Sequence, residues 1–261
     1  YICGGDQIWN PVCQDFETAY YLQFLDATNG AKKISYSPSL GKTEFDEDVL
    51  CKIEKWVQNF DAISVREPRG ADIIQKLTDK IVHTVCDPVL LLDKREWEKL
   101  AVKPKYKQPY ILVYFLENNH GSRELIKYLR EVTGYDVVIF NEYIRDFIKL
   151  YHKAYSASPE EFVGLFMNAS LVYTNSFHGT VFSTIFERPF ISAIAADQEN
   201  AVNNNDSRKI DYLKKIGLDN RLYTTGKPDK EFLLQIDYSE ARKEIEDFKK
   251  ESLNYLMNAL Q

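Results

Sequence analysis

Short strand-like runs alternate with longer helical runs along most of this chain of 261 residues. Stretches rich in hydrophobic and β-branched residues predict strands at Tyr1–Cys3, Lys33–Ser37, Ala62–Val65, Ile81–Val85, Tyr110–Phe115, Asp136–Phe140, Ser170–Thr174 and Phe190–Ala193. The spacing of apolar residues predicts helices over Asp46–Asn59, Arg69–Thr78, Arg123–Val132, Pro159–Met167, Thr180–Glu187 and Arg208–Ile216. Such alternation is typical of parallel sheets that are covered by helices and joined by right-handed crossovers. The sequence therefore predicts an α/β fold.

One segment breaks this pattern. Lys99–Pro109 holds four lysines and two prolines, which is typical of a linker, and the strand–helix order begins again at Tyr110. We therefore expect a partial Rossmann-like domain over residues 1–100, a second Rossmann-like domain over 101–227 and a helical tail over 228–261. The tail has an apolar stripe that needs a partner, formed by Phe232, Ile236, Ile245, Phe248, Leu253 and Leu256.

Composition narrows the function classes. The net charge of −6 argues against binding to nucleic acid or to anionic membranes in general, because both need a basic face. The four cysteines and four histidines show no metal-ligand spacing, so we expect reduced cysteines and no metal site. No apolar run reaches the length of about 18 residues that a membrane span requires. The chain begins in a strand at Tyr1 without a signal peptide, so we expect a cytoplasmic protein that lacks part of its first domain.

The stretch YTNSFHGTVFSTIFERPF places His178 between a predicted strand and an apolar helical run. Ligands of open α/β sheets bind outside the carboxyl ends of the strands, and a helix start offers free N–H groups to an anion. Asn175 lies in the same turn, Ser176 or Thr180 can cap the helix, and Gly179 would let a ligand approach the backbone. The alternative is a capping loop whose histidine only binds a carbonyl.

The first residues repeat this arrangement. A strand runs into Gly4 and Gly5, and the polar residues Asp6, Gln7 and Asn10 follow. Two glycines after a strand are a weak phosphate-loop signal, and a plain turn is the alternative.

Charged residues also follow two further predicted strands and open one predicted helix. Arg66 and Glu67 end a buried strand, where an arginine could form a fork on a phosphate or carboxylate, or a salt bridge with Glu67 or another acid. Asp87 follows the next strand and precedes a proline that stiffens the turn. Arg208 and Lys209 open a helix behind a run of capping residues, which could also be a solvated helix start. The other histidines, at positions 83, 120 and 152, are expected to be structural.

Taken together, the blocks GGDQIWNP, KISYSPSLG, ISVREPRG, CDPVLLLDKREW, YILVYFLEN, LVYTNSFHGTVFSTIFERPFI and NNNDSRKIDYLKKIGLDNR resemble the bacterial polysaccharide pyruvyl transferase family. The resemblance runs from Tyr1 to about Arg221. It implies two Rossmann-like domains in a GT-B-like arrangement, the first one incomplete here. It also implies transfer of a pyruvyl group from phosphoenolpyruvate to a sugar hydroxyl, with formation of a ketal, in surface-polysaccharide biosynthesis.

The resemblance also assigns residues. His178 matches the histidine held to be catalytic, and Arg66 matches an arginine associated with phosphoenolpyruvate. Asp6, Asn10 and Asp87 match recurrent positions on the cleft side. With these we group Ser176, Gly179, Thr180 and Arg208 as donor-binding residues, and Gln7, Glu67 and Asn175 as residues of the substrate cleft. The chain departs from some members at Ser176, where they carry an arginine.

The resemblance implies a saccharide or lipid-linked saccharide as acceptor, phosphoenolpyruvate as donor and no further cofactor. It allows peripheral membrane association through the acceptor, and assembly into a homo-oligomer. Two alternatives stay open at this point: a GT-B glycosyltransferase that uses a nucleotide sugar, and a non-catalytic glycan-binding module. In GT-B-like proteins the terminal helix crosses back to the first domain, so we expect Phe248, Leu253 and Leu256 to pack there.

Overall fold

The computed structural model describes residues 1–13, 18–25, 30–106, 108–116, 122–140, 151–153, 157–194 and 206–261. Its strands are β1 (Ile2–Gly4), β2 (Ile34–Tyr36), β3 (Ile63–Val65), β4 (Val82–Thr84), β5 (Tyr110–Tyr114), β6 (Asp136–Phe140), β7 (His152–Lys153), β8 (Leu171–Thr174), β9 (Phe190–Ala193) and β10 (Leu222–Tyr223). Its α-helices are α1 (Glu47–Val57), α2 (Pro68–Gln75), α3 (Lys94–Leu100), α4 (Ser122–Thr133), α5 (Pro159–Asn168), α6 (Phe177–Ile185), α7 (Ser207–Lys215), α8 (Lys230–Leu234) and α9 (Ser239–Leu260). Within the described ranges, no helix has the length and apolar character needed to cross a membrane.

Two compact units make up the chain. The first contains Tyr1–Leu91, Asp197–Lys215 and Arg242–Gln261, and the second contains Leu92–Ala196 and Ile216–Ala241. The predicted boundaries were contiguous in sequence, whereas the first unit is assembled from three separate segments. The difference arises because α7 and most of α9 make their contacts with residues far away in the chain, which local sequence patterns do not record.

Parallel strands form the sheet of the first unit. Strands β1 and β2 pair with each other, β3 and β4 pair with each other, and a parallel bridge between Ile34 and Ala62 connects the two pairs. The core beside α1 and α2 includes the buried residues Trp9, Tyr21, Ile53, Val57, Phe60, Ile63, Val65 and Ile74. Because the strands are parallel, the residues that follow β1, β2, β3 and β4 all lie at one edge of this sheet.

The last helix, α9, packs within the first unit through its second half. The hydroxyl of Tyr255 donates to the carbonyl of Ser35 at 2.8 Å, and the Oγ of Ser252 accepts the N–H of Cys86 at 2.8 Å. Phe248 is buried and Leu256 contacts the cluster of Ile34, Tyr36 and Val85. Leu253, the third residue expected to pack there, is exposed.

The second unit contains a parallel sheet with the strand order β10-β9-β8-β5-β6-β7. Helices α4 and α8 contribute Leu125, Ile126, Leu129 and Leu233 to the core on one face. Phenylalanines of α5 and α6 pack together and meet Tyr114 of β5. The predicted α/β class with parallel sheets is confirmed.

Strands β7 and β10 and helix α3 were not predicted, and helix α6 begins three residues earlier than expected. Strands β7 and β10 have two residues each, too few to show any periodicity. Helix α3 (KREWEKL) is mostly charged and overlaps the start of the predicted linker. Helix α6 begins at Phe177 rather than Thr180, because Ser176 is its N-cap and accepts the N–H of Gly179.

Candidate functional site

The turn after β1 has an unusual backbone. Gly5 and Asp6 have φ values of 80° and 45°, in the left-handed region that non-glycine residues rarely adopt. This turn leaves the side chain of Asp6 65% exposed, and its Oδ1 lies 3.7 Å from Nη2 of Arg66 and 3.9 Å from Nη1 of Arg208. Strained backbone of this kind clusters at functional sites. The Asp6 carboxylate therefore shows where an anionic group can approach two guanidinium groups.

Arg66, directly after β3, is buried in a network of carboxylates. Its Nε donates to Oε1 of Glu67 at 3.0 Å, and its Nη1 donates to Oδ2 of Asp87 at 2.6 Å. Burial tends to lower the pKa of Arg66, but the charges of Glu67 and Asp87 outweigh it and raise that pKa. The salt-bridge alternative considered for Arg66 is thus realised, through Glu67 and Asp87.

Asp87 acts by orienting Arg66. It is 2% exposed, and both of its carboxylate oxygens are engaged, because Oδ1 accepts the N–H of Val89 at 3.1 Å. Proline at position 88 begins a short 3-10 helix, Pro88–Leu91, that fixes this turn. Asp87, which we predicted as a cleft residue, lies at this edge of the sheet in contact with Arg66.

Arg208 lies in the first turn of α7 and is 7% exposed. Burial lowers its pKa, and repulsion from Arg66 lowers it further, while Glu67, Asp6 and Asp87 act in the opposite direction. The neighbouring Lys209, also proposed as an anion contact, instead pairs its Nζ with Oδ1 of Asp206 at 2.6 Å. Burial and Arg66 thus disfavour the charged form of Arg208, and an anion bound beside it would stabilise that form.

Gln7 and Asn10 support the first turn from within. Nδ2 of Asn10 donates to Oε1 of Gln7 at 2.7 Å, and its Oδ1 accepts the N–H of Val12 at 3.0 Å. Asn10 is 3% exposed. Gly41 packs on this pair so closely that a Cβ would lie 2.2 Å from Nδ2 of Asn10. These amides hold the loop that carries Asp6.

Ser37, which follows β2, was missed by the sequence analysis. It is fully buried and has a φ of 58°, and its hydroxyl has no hydrogen-bond partner among the described residues. Strand β2, which it follows, lies between β1, which precedes Asp6, and β3, which precedes Arg66. The only sequence signal was the Ser-Pro-Ser run after a predicted strand, and serine is not a residue type that marks positive φ.

In the second unit, the candidate residues form the start of α6. His178 is half-buried in the first turn, where its ring contacts that of Phe177 at 5.5 Å between centroids. Asn175 lies just before the helix and accepts the N–H of Leu116 at 2.8 Å. This hydrogen bond links the turn after β8 to the residues that follow β5. The imidazole is thus held at the carboxyl ends of two neighbouring strands.

Ser176, Gly179 and Thr180 are packed inside this turn. Thr180 is fully buried, and its Oγ1 contacts the carbonyl of Ser176 at 3.0 Å and the hydroxyl of Ser192 at 2.8 Å. A Cβ on Gly179 would lie 2.4 Å from Oγ1 of Thr174. The close approach at Gly179 is therefore to β8, and the three side chains shape the helix start that presents His178.

The predicted residues thus form two groups. The first unit brings together Asp6, Arg66, Glu67, Asp87 and Arg208, and the second unit holds Asn175–Thr180 in one turn. His83 and His152 are exposed and contact the rings of Tyr255 and Tyr106, while His120 lies outside the described residues. Within the described ranges, no group of three or more histidine, cysteine or acidic side chains could hold a metal ion.

A family model described as polysaccharide pyruvyl transferase matches residues 1–198. A structure of a UDP-N-acetylglucosamine 2-epimerase from Listeria monocytogenes is similar, with a TM-score of 0.52 and 12% identity, over 97% of this chain and 66% of that one. An epimerase structure from Rickettsia bellii has a TM-score of 0.49 and 13% identity, over 92% of this chain and 77% of that one. Curated proteins give no significant match. At this identity the likeness to the Listeria structure concerns the fold alone, and it agrees with the predicted GT-B-like class.

Proposed function

Since this chain belongs to the polysaccharide pyruvyl transferase family, we propose that it transfers a pyruvyl group from phosphoenolpyruvate to a saccharide. The observation that carries the proposal is the pair of buried arginines, Arg66 and Arg208, that face the exposed carboxylate of Asp6. Phosphoenolpyruvate carries a carboxylate and a phosphate, and a guanidinium binds either group through paired hydrogen bonds.

In this proposal the donor takes the place of the Asp6 carboxylate. Asp6 is exposed and stands 3.7 and 3.9 Å from the two guanidinium groups, which is longer than a hydrogen bond, so it can turn into solvent. The remaining groups, Arg66, Arg208, Glu67 and Asp87, then have a net charge of zero. An anion bound there would relieve the repulsion between the two arginines that lowers the pKa of Arg208.

The chemistry of ketal formation needs two proton transfers at the first addition. The methylene carbon of phosphoenolpyruvate gains a proton, and the sugar hydroxyl loses one as its oxygen bonds to the adjacent carbon. The oxygen of a second sugar hydroxyl then bonds to the same carbon, and phosphate leaves with the electrons of its C–O bond and takes up the proton of that hydroxyl. An imidazole titrates near neutral pH and is suited to either proton transfer, and we assign His178 to one of them.

The test is turnover by a His178→Gln variant. Loss of one acid–base group typically lowers the rate by about 10² to 10⁴. We expect release of phosphate from phosphoenolpyruvate, measured in the presence of a saccharide acceptor, to fall by this amount. His152→Gln is the matched control, because His152 is an exposed histidine of the same unit. Wild-type turnover in the His178 variant would exclude the assigned role.

Donor choice separates this proposal from a nucleotide-sugar glycosyltransferase. Binding of phosphoenolpyruvate should be measured beside that of UDP-N-acetylglucosamine, with Arg66→Lys as the variant. A lysine keeps the charge but cannot make the paired contact, so the affinity for phosphoenolpyruvate should fall. A saccharide or lipid-linked saccharide as acceptor, a cytoplasmic location and a homo-oligomeric state belong to the same proposal.

A further inference from the structure

A pocket of about 270 Å³ opens in the second unit, on the face of the sheet that α4 covers. Tyr173 lies near the carboxyl end of β8 and Tyr223 at that of β10. The other lining residues come from the first turn of α4 and the loop after β10. Its walls include Glu124, Tyr173, Tyr223, Thr224, Thr225 and Lys227. None of them is among the candidate residues described above.

Aromatic side chains form the inner part of this pocket. Tyr173 is 1% exposed and belongs to the core, and its ring meets that of the partly buried Tyr223 edge-on, with 6.3 Å between centroids. The hydroxyl of Tyr223 donates to the carbonyl of Gly226 at 2.6 Å, which fixes the loop after β10. An aromatic surface held in this way offers the apolar faces of a ligand ring a contact that needs no rearrangement.

The rim of the pocket is polar and its formal charges cancel. Glu124 is an exposed carboxylate in the first turn of α4, and Lys227 is an exposed ammonium whose Nζ lies 5.3 Å from the ring centroid of Tyr128. Thr224 and Thr225 add two hydroxyls. A carboxylate, an ammonium and hydroxyls above an aromatic wall can bind several hydroxyl groups of one ligand. This lining does not favour an anion, in contrast to the two arginines of the first unit.

We propose that this pocket is a saccharide subsite that binds one sugar ring of the acceptor. Its volume lies just below the range of about 300–1,000 Å³ that is usual for pockets of larger ligands, so it suits a single ring. The ring's C–H face lies against Tyr223, and Glu124 accepts hydrogen bonds from its hydroxyls. This assignment rests on the proposed function, because that function requires a saccharide acceptor.

The test is sugar binding without donor and without turnover. Saturation-transfer NMR and titration with methyl glycosides of glucose, galactose, mannose and N-acetylglucosamine should show binding of at least one of them to the chain. Glu124→Gln keeps the shape of the side chain and removes its charge, and should weaken that binding about tenfold or more. Thr225→Val should weaken it as well. Glu131→Gln is the matched control, since Glu131 is an exposed residue of α4 outside the pocket.

Two results would overturn the assignment. One is that none of the glycosides binds at concentrations up to tens of millimolar, and the other is equal binding by wild type, Glu124→Gln and Thr225→Val. Sugar binding that depends on Glu124, in a protein that does not turn over phosphoenolpyruvate, would support the subsite and reject the proposed pyruvyl transfer. The two proposals therefore fail separately.

Discussion

Replacing Asp87 by Asn tests whether this residue orients Arg66. Asp87 accepts two hydrogen bonds on separate oxygens, from Nη1 of Arg66 at 2.6 Å and from the N–H of Val89 at 3.1 Å. An asparagine has one oxygen and one NH₂ group in place of these oxygens. Whichever way the amide is placed, its NH₂ group faces a donor, so one contact is lost and a repulsive one replaces it.

The expected cost follows from burial. The side chains of Arg66 and Asp87 are 3% and 2% exposed, and breaking a buried ion pair typically costs about 3–5 kcal/mol. Glu67 remains bonded to Arg66 and limits the loss, so we expect a decrease of about 3 kcal/mol in the free energy of unfolding. Urea denaturation followed by circular dichroism measures this value.

A matched control is available on the neighbouring helix. Asp72 is an exposed aspartate in α2, and surface changes of this kind usually alter stability by less than about 0.5 kcal/mol. An Asp87→Asn protein whose unfolding free energy equals that of Asp72→Asn would refute the reasoning. It would mean that Arg66 is held in place without Asp87.

Two further predictions concern charge and pH. Asp6→Asn removes the carboxylate that competes with an anionic donor, so the affinity for phosphoenolpyruvate should rise. Titration calorimetry measures this affinity, and a complete loss of binding would show that Asp6 itself contacts the donor. Burial raises the pKa of Cys3 from 9.0 to about 12 and that of Tyr255 from 10.0 to about 12. The unfolded chain thus loses these protons at lower pH than the folded chain, so the unfolding free energy should be intact below about pH 9 and fall between about pH 9 and 12. Cys3→Ala should make the fall that begins near pH 9 shallower, while the raised pKa of buried Cys86 retains part of it. An unchanged pH profile would show that Cys3 does not contribute.

Local sequence patterns predicted which residues follow the strands, but not which of these residues contact one another. The positions of Arg66 and His178 after buried strands follow from strand-like runs that end in polar residues. The pairing of Arg66 with Asp87, and the approach of Arg208 to Asp6, join residues far apart in the chain, and no local signal states them. For the same reason, the sequence could not show that α7 belongs to the first unit.

The start of α6 shows a different limit. Gly179 was interpreted as a turn residue that admits a ligand, so the helix was placed from Thr180 onwards. In the structure, Gly179 lies in the first helical turn, where Thr174 of β8 leaves no room for a Cβ. The sequence offered both Ser176 and Thr180 as capping residues, and Gly179 between them favoured a longer turn. The packing of Gly179 against Thr174, which the sequence does not show, is consistent with the earlier start at Ser176.

The central claim is most directly tested by the identity of the product. The chain should be incubated with phosphoenolpyruvate and a panel of saccharide acceptors, and the acceptors should be analysed by mass spectrometry and NMR. The account predicts an acceptor that carries a pyruvate ketal, formed together with free phosphate and absent with His178→Gln. Transfer of a sugar from UDP-N-acetylglucosamine in place of the pyruvyl group would contradict the account.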